Sequence, residues 1–280
     1  MAAPAQAPPR GALGTYETFA PFYDAFTRDY PYDEWLGDLE GWARESGLAG
    51  RRLLDVACGT GNSFMPMLDR GYEVVACDLS PSMAARARAK AAGRAHVTVA
   101  DMRHLPWRDR FDLITCVDDS MNYLLSTGDL VAALRSMAKA LAPGGLAVFD
   151  TNSLAAYRTG FATELSLEAD GTRFRWRGEG DGRMEPGGVA AAAIELLVPG
   201  AEPLPIGRHV QRHHPVATVR AACEEAGLEL LGVRGAAPDG GLDARPDELG
   251  HQKIAFLTSR HQPRGEGVTT WSGTSANHRS

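Results

Sequence analysis

A few short stretches of this chain hold residue types that could do chemistry. Asp55 is followed by Ala57-Cys58-Gly59-Thr60-Gly61. A glycine pair lets the backbone take positive φ and lets a ligand approach it closely. The run Tyr72-Glu-Val-Val-Ala-Cys-Asp78 ends in an acid, and a carboxylate there can accept from both hydroxyls of a ribose. Asp101-Met102-Arg103 and Asp118-Asp119-Ser120-Met121-Asn122-Tyr123 each follow a further apolar run. A nucleoside-containing ligand is therefore the first expectation. His209-Val-Gln-Arg-His-His-Pro215 is rich in histidine. No acid or cysteine lies near it at standard ligand spacing, so no metal site is expected. His213 or His214 acting as a base or orienting a substrate, or an ordinary strand end, are the readings left.

The elements that must position these residues follow from periodicity. Leu53, Leu54 and Val56 form a short buried strand, and a helical pattern runs over 62–70, with Pro66 tolerable only in its first turn. Together with Tyr72–Asp78 this is strand, glycine turn, helix, strand. Ser80 is an N-cap for a helix with Pro81 at its first position. Strands are expected over 95–100, 111–117 and 146–150, with an amphipathic helix over 129–141. In an open parallel sheet the carboxyl ends of the strands face the ligand crevice. That edge is where the acids lie.

Residues 15–50 carry helical patterns with aromatics on two faces, Phe19, Phe22, Tyr23 and Phe26 on one, Trp35, Leu36, Leu39 and Trp42 on another. They read either as core or as a lid over the ligand. From about 162 to 212, alternating segments such as Thr172-Arg-Phe-Arg-Trp-Arg177 predict antiparallel strands, with Phe174 and Trp176 on one side and Arg173, Arg175 and Arg177 on the other. A helix over 215–226 and strands over 228–233 and 253–258 complete the chain, with 239–249 a polar loop. Residues 1–14 and 261–280 read as disordered tails.

The 280 residues are 44% apolar and 23% charged, which suits one large domain or one domain with an insertion. The net charge of −6 and the lack of a basic run leave no electrostatic footprint for nucleic acid. Four scattered cysteines, without a Cys-x-x-Cys pair, fit reduced thiols in a cytoplasmic protein. No signal peptide and no membrane span is expected.

Leu54-Asp-Val-Ala-Cys-Gly-Thr-Gly61 resembles the first motif of class I S-adenosylmethionine-dependent methyltransferases, and Leu141-Ala-Pro-Gly-Gly145 is another feature the family shares. Position 64 is Phe, where a dinucleotide dehydrogenase would carry a third glycine. The resemblance covers about residues 50–152. It implies a doubly wound α/β fold of the Rossmann-like methyltransferase kind: a seven-stranded, mostly parallel sheet whose last strand is antiparallel. The implied division is an N-terminal helical lid (15–50), a cofactor-binding core (51–152), an antiparallel β insertion (153–212) forming a substrate wall or dimer contact, and the rest of the core (213–260).

It also implies the site. S-adenosylmethionine would meet Asp55, Ala57, Cys58, Gly59, Thr60 and Gly61 at the turn, and Asp78, Leu79 and Met83 after the second strand. Asp101, Met102 and Arg103 would surround the adenine, with the alternative that Asp101 only caps a turn. Val117, Asp118, Asn122 and Tyr123 would follow the fourth strand, and Tyr16, Tyr23 and Tyr32 would cover the methionine end. Asp118, Asp119, Tyr123 and His213 are the candidates for a catalytic base or for steering an amine, and no single one is singled out. The expected reaction is methyl transfer to N or O of a small molecule, yielding S-adenosylhomocysteine, by a monomer or homodimer. A nicotinamide-dependent oxidoreductase and a non-catalytic S-adenosylmethionine-binding protein are the alternatives.

Overall fold

The computed structural model describes residues 11–238 and 240–261. The tails expected over 1–14 and 261–280 lie mostly outside these residues, but Ala12 to Gly14 are already helical. In chain order the helices are α1 (Ala12–Phe19), α2 (Tyr23–Phe26), α3 (Tyr32–Glu45), α4 (Met65–Asp69), α5 (Pro81–Ala91), α6 (Thr127–Ala140), α7 (Leu154–Thr159) and α8 (Val216–Ala226). The strands are β1 (Arg52–Val56), β2 (Glu73–Asp78), β3 (His96–Val99), β4 (Phe111–Cys116), β5 (Leu141–Asn152), β6 (Glu164–Ala169), β7 (Thr172–Gly178), β8 (Val189–Leu197), β9 (Leu204–Arg212), β10 (Leu228–Ala236), β11 (Leu242–Asp243) and β12 (Lys253–Arg260).

The central sheet runs β11-β10-β12-β5-β4-β1-β2-β3. Strands β1 to β5 pair in parallel, and β12 is antiparallel to both β5 and β10. Both faces are covered, which is why these strands read as continuous apolar runs. Adjacent residues point to opposite faces. Leu54, Val56, Ile114 and Cys116 pack with α6 and α8 residues such as Leu134 and Val219. Leu53, Val74, Ala76 and Leu113 pack with Trp35, Leu39, Ala84 and Ala87 from α3 and α5. The four cysteines are free and buried.

The structure corrects the expected elements in three places. The sheet has eight strands, not seven, because the polar stretch 239–249 contributes the two-residue β11, paired to β10 at Gly235↔Asp243 and Ala236↔Leu242. The helix expected over 62–70 is the single short α4, since the turn before it consumes residues through Phe64 and puts Pro66 in the first helical turn. The 15–50 region splits. Its C-terminal helix α3 is core, with Leu36, Leu39 and Ala43 at most 1% exposed. The N-terminal α1 and α2 pack elsewhere.

They pack on a second, four-stranded antiparallel sheet, β6-β7-β8-β9. Phe174, Ile194 and Ile206 of this sheet enclose Phe19, with Phe22, Phe26 and Trp176 at the margin. The opposite face carries the arginines, paired with glutamates: Arg175 with Glu195 at 2.6 Å, Arg177 with Glu195 at 3.8 Å and Arg173 with Glu168 at 3.0 Å. They form an outer face of ion pairs. Among the described residues no helix is long and apolar enough to cross a membrane.

Gly178 joins this sheet to the segment after α7. Its N–H donates to the Thr163 carbonyl at 2.9 Å, and a Cβ there would lie 2.3 Å from the Phe161 carbonyl. Gly178→Ala should therefore destabilise the fold by about 1–3 kcal/mol, as overpacking does. A urea midpoint equal to wild type would contradict this close approach.

Candidate functional site

The site begins at the turn after β1. Ala57, Gly59 and Gly61 all have positive φ (57°, 54° and 95°), so alternate residues reverse the backbone there. The Gly59 N–H donates to Asp78 Oδ2 at 2.9 Å, and the Ser80 N–H to Asp78 Oδ1 at 2.8 Å. Burial pushes the Asp78 carboxyl up to about 6, against these backbone donors. The positive φ favours glycine at position 59, where a Cβ would reach ordinary contact with the Tyr23 ring at 3.6 Å, so the turn lies directly beneath that ring.

Above the turn is a cavity of about 320 Å³ at the carboxyl ends of the strands. It lies where the strand order reverses between β1 and β4, as ligand crevices in such sheets do. Ala57, Cys58, Gly59, Asp78, Leu79, Asp101, Met102, Arg103, Val117, Asp118, Tyr123, Tyr16, Tyr23 and Tyr32 all line it. Ala12, Leu13, Asn62, Ser63, Ser80 and Asp129 are among the further lining residues that sequence reasoning missed.

Other expected site residues are placed behind the wall. Asp55 is 1% exposed and accepts from the Ser63 and Thr115 hydroxyls, the latter at 2.7 Å, so it braces the turn. Thr60 bonds Asp24, and Gly61 packs on the Phe64 ring. Met83 is fully buried, its N–H capped by the Ser80 hydroxyl at 3.1 Å. Asn122 spans the Arg212 carbonyl and the Asn152 N–H at 2.9 and 2.8 Å. His213 is also away from the cavity. It is fully buried, its Nδ1 accepts from the Gly187 N–H at 3.2 Å, and its Nε2 is 3.5 Å from Glu248.

Asp101 accepts the Arg103 N–H and guanidinium, and that guanidinium also reaches Asp129 at 2.8 Å. Arg103 holds the Asp101 carboxyl below the usual carboxylate range. Among the described residues the cavity's one lining guanidinium, that of Arg103, is thus neutralised, while Asp78 and Asp118 also face the space.

Below the cavity, Asp118 and Asp119 are consecutive left-handed residues, with φ of 59° and 54°. Such backbone is strained for non-glycine residues. The buried Asp150 holds it by accepting both N–H groups, at 3.0 and 2.7 Å, along with Trp35 Nε1 at 2.9 Å. Lys253 Nζ lies 3.2, 3.1 and 3.6 Å from Asp118, Asp119 and Asp150. Asp118 Oδ2 also accepts from Tyr32 at 2.9 Å and Tyr23 at 3.2 Å. Burial raises the Asp118 carboxyl, but Lys253 and these hydroxyls outweigh it and hold it below its ordinary range. Asp119 turns away to Gln211 and Lys253 and does not line the cavity. Burial, with Asp118 and Asp150 adding to it and Lys253 opposing, lifts its carboxyl to about 7. Asp150 and Lys253 were not anticipated. Asp150 closes the strand expected over 146–150 as Asp78 closes β2, a signal that was present.

Residues 53–145 match the methyltransferase domain family. The chain carries a methyltransferase domain. It is similar to the YqeM protein of Bacillus subtilis (strain 168), 34% identical over 141 residues, covering 49% of this chain and 56% of that one. It is also similar to the cypemycin N-terminal methyltransferase of a Streptomyces species, 28% identical over 203 residues, 72% of this chain and 82% of the relative. The chain spans little more than half the length of the first curated relatives it matches, 56% and 58%. In fold, the methyltransferase domain and its insertion are similar to the sugar N-methyltransferase KedS8 from Streptoalloteichus, with TM-score 0.70 and 24% identity over 94% of this chain and 99% of that one.

Asp119 gives this domain a pH signature. Its folded-state carboxyl titrates near 7, above the roughly 3.9 of an unfolded aspartate. Between those values the folded state holds the extra proton, so this contribution to stability is full below about 4 and is lost as pH rises to 7. Asp119→Asn should flatten that fall. Urea midpoints at pH 4.5 and 7.5 that drop equally in both proteins would contradict it.

Proposed function

We propose that this protein transfers a methyl group from S-adenosylmethionine to an amine nitrogen of a small molecule, leaving S-adenosylhomocysteine. The carrying observation is the Asp118 carboxylate, held ionised at the floor of a cavity whose only lining guanidinium among the described residues is already paired. Bound S-adenosylmethionine supplies an electrophilic methyl on a cationic sulfur.

Several features fit that group. The Gly59 turn beneath Tyr23 suits close backbone approach, and Asp78 keeps lone pairs for ribose hydroxyls. The Asp101 carboxylate and Met102 N–H suit the donor and acceptor on an adenine edge. Tyr16, Tyr23 and Tyr32 line the same cavity, where their rings would shield the bound group from water.

On the acceptor side, positive charge grows on the attacking atom of an amine. A fixed carboxylate near it lowers the energy of that developing charge without moving. Asp118 offers this, oriented by Tyr23, Tyr32 and Lys253. A hydroxyl acceptor would instead need its proton removed. The names of two similar proteins, the cypemycin N-terminal methyltransferase and the sugar N-methyltransferase KedS8, support nitrogen as the target.

The test combines thermal unfolding with turnover. S-adenosylmethionine or S-adenosylhomocysteine at ~100 times its dissociation constant should add about 2.7 kcal/mol, NAD should add nothing, and Asp78→Ala should abolish the rise. S-adenosylhomocysteine release is then followed with matched primary amines, including amino sugars, and with alcohols and phenols. Turnover confined to amines, and reduced about 100-fold in Asp118→Asn, is expected. Stabilisation by NAD alone, or turnover of hydroxyls only, would refute the proposal.

A further inference from the structure

A line of hydrogen bonds leaves the cavity toward the insertion sheet, and neither Asp118 nor the cofactor-binding turn uses it. The Tyr16 hydroxyl donates to the Tyr123 oxygen at 2.8 Å, and the Tyr123 hydroxyl contacts His209 Nδ1. Tyr16 and Tyr123 line the cavity, whereas His209, on β9, is only 4% exposed. With Tyr16 donating to the Tyr123 oxygen, the arrangement that continues the line sends the Tyr123 proton to His209 Nδ1 and places the imidazole hydrogen on Nε2. That Nε2 is buried and has no partner among the described residues. Leaving such a group unpaired is costly, and the protein retains it.

The imidazole cannot turn to relieve this. Rings surround it on several sides: Trp176 stacks on it at 5.5 Å, and Tyr16, Phe19 and Tyr123 stand edge-on at 5.6, 5.8 and 6.0 Å. Burial pushes it down to about 4, so it is neutral at pH 7 and has a single nitrogen lone pair with which to accept.

We infer that His209 is a positioning residue that sets the donor–acceptor polarity of the Tyr16–Tyr123 hydroxyl pair, so that the cavity presents an oxygen lone pair to the N–H of a primary or secondary amine. This rests on the amine methyltransferase reading and deepens it. With Nδ1 taking the Tyr123 proton and Tyr123 taking that of Tyr16, the head of the line has lone pairs and no proton to offer. An amine N–H donates to that oxygen, which leaves the nitrogen lone pair free for attack. A tertiary amine has no N–H and loses the contact. Methylation therefore stops at the tertiary amine. No proton is stored on His209 in this role, and none needs to be.

The experiment has a spectroscopic and a kinetic arm, both on the full chain. Nitrogen-15 histidine spectra at pH 7 are compared for wild type, His209→Phe (which identifies the signal) and Tyr123→Phe. The expected result is hydrogen on Nε2 with Nδ1 as acceptor, and loss of the Nδ1 hydrogen-bond shift in Tyr123→Phe. Hydrogen on Nδ1 in wild type would overturn the proposal. In the kinetic arm, the amine turned over in the acceptor panel is supplied in primary, secondary and tertiary forms. His209→Phe keeps an aromatic ring in the box and should lower kcat about tenfold, the worth of one hydrogen bond, with KM for S-adenosylmethionine unchanged. His209→Asn, which can place an acceptor oxygen near Nδ1, should recover to within about threefold. The double variant with Tyr123→Phe should be no slower than Tyr123→Phe alone. Additive losses, no rescue by asparagine, or a quaternary product would each sink the inference. Absence of S-adenosylmethionine binding to wild type by calorimetry would count against the methyltransferase reading instead, while the spectra would still decide the hydroxyl polarity.

Discussion

The Asp150 carboxylate is the constraint on which the rest of the site depends. It is fully buried near the carboxyl end of β5 and accepts the N–H groups of two successive left-handed residues, Asp118 and Asp119. Without that acceptor, the backbone after β4 would have two buried donors and no reason to stay strained. With it, Asp118 faces the cavity and Asp119 faces away. Lys253 lies across all three carboxylates. One ammonium cannot neutralise three acids, and Asp119 responds by holding its proton to higher pH. The arrangement keeps one carboxylate ionised where charge is useful and lets its neighbour relax. Buried ion clusters of this type cost desolvation and contribute little net stability, so their value lies in what they orient.

The parallel core was legible because its signals are local. Asp78, Asp101 and Asp118 each follow an apolar run, and the glycine turn lies between the first two strands, so a strand edge lined with acids could be read directly from the chain. Ser80 caps α5 as its position before Pro81 predicts. The shortness of α4 was not legible, because three alternate residues with positive φ, one of them Ala57, lengthen the turn at the helix's expense. Nor was β11, a pair of residues that exist as a strand only because β10 lies beside them.

The site's second layer was hidden for a different reason. Lys253 meets Asp118 only because β12 runs antiparallel to β5, with Lys253 opposite Asn152. The surroundings of the clustered histidines were not legible either, because they depend on which distant elements pack against β9 and the residues just after it. His209 stacks on Trp176 and bonds Tyr123, while His213 packs by Tyr157 and Glu248. Pairing register and distant neighbours carry that information, and a single sequence does not display them.

Helix α1 is held by residues far along the chain. Thr15 donates to the Arg208 carbonyl at 2.7 Å, across a separation of 193 residues, and Tyr16 reaches Tyr123. Glu17 accepts from the Ser82 N–H at 3.0 Å. During synthesis from the N-terminus, α1 emerges first but has no seat until β9 has been made and paired. Contacts so distant in sequence also form late in refolding, because the loop-closure entropy comes before their reward. The roof of the cavity is thus the first part of the described chain to be translated and among the last to be assembled, which leaves the strand edge open to small molecules while the sheet beneath it is already in place.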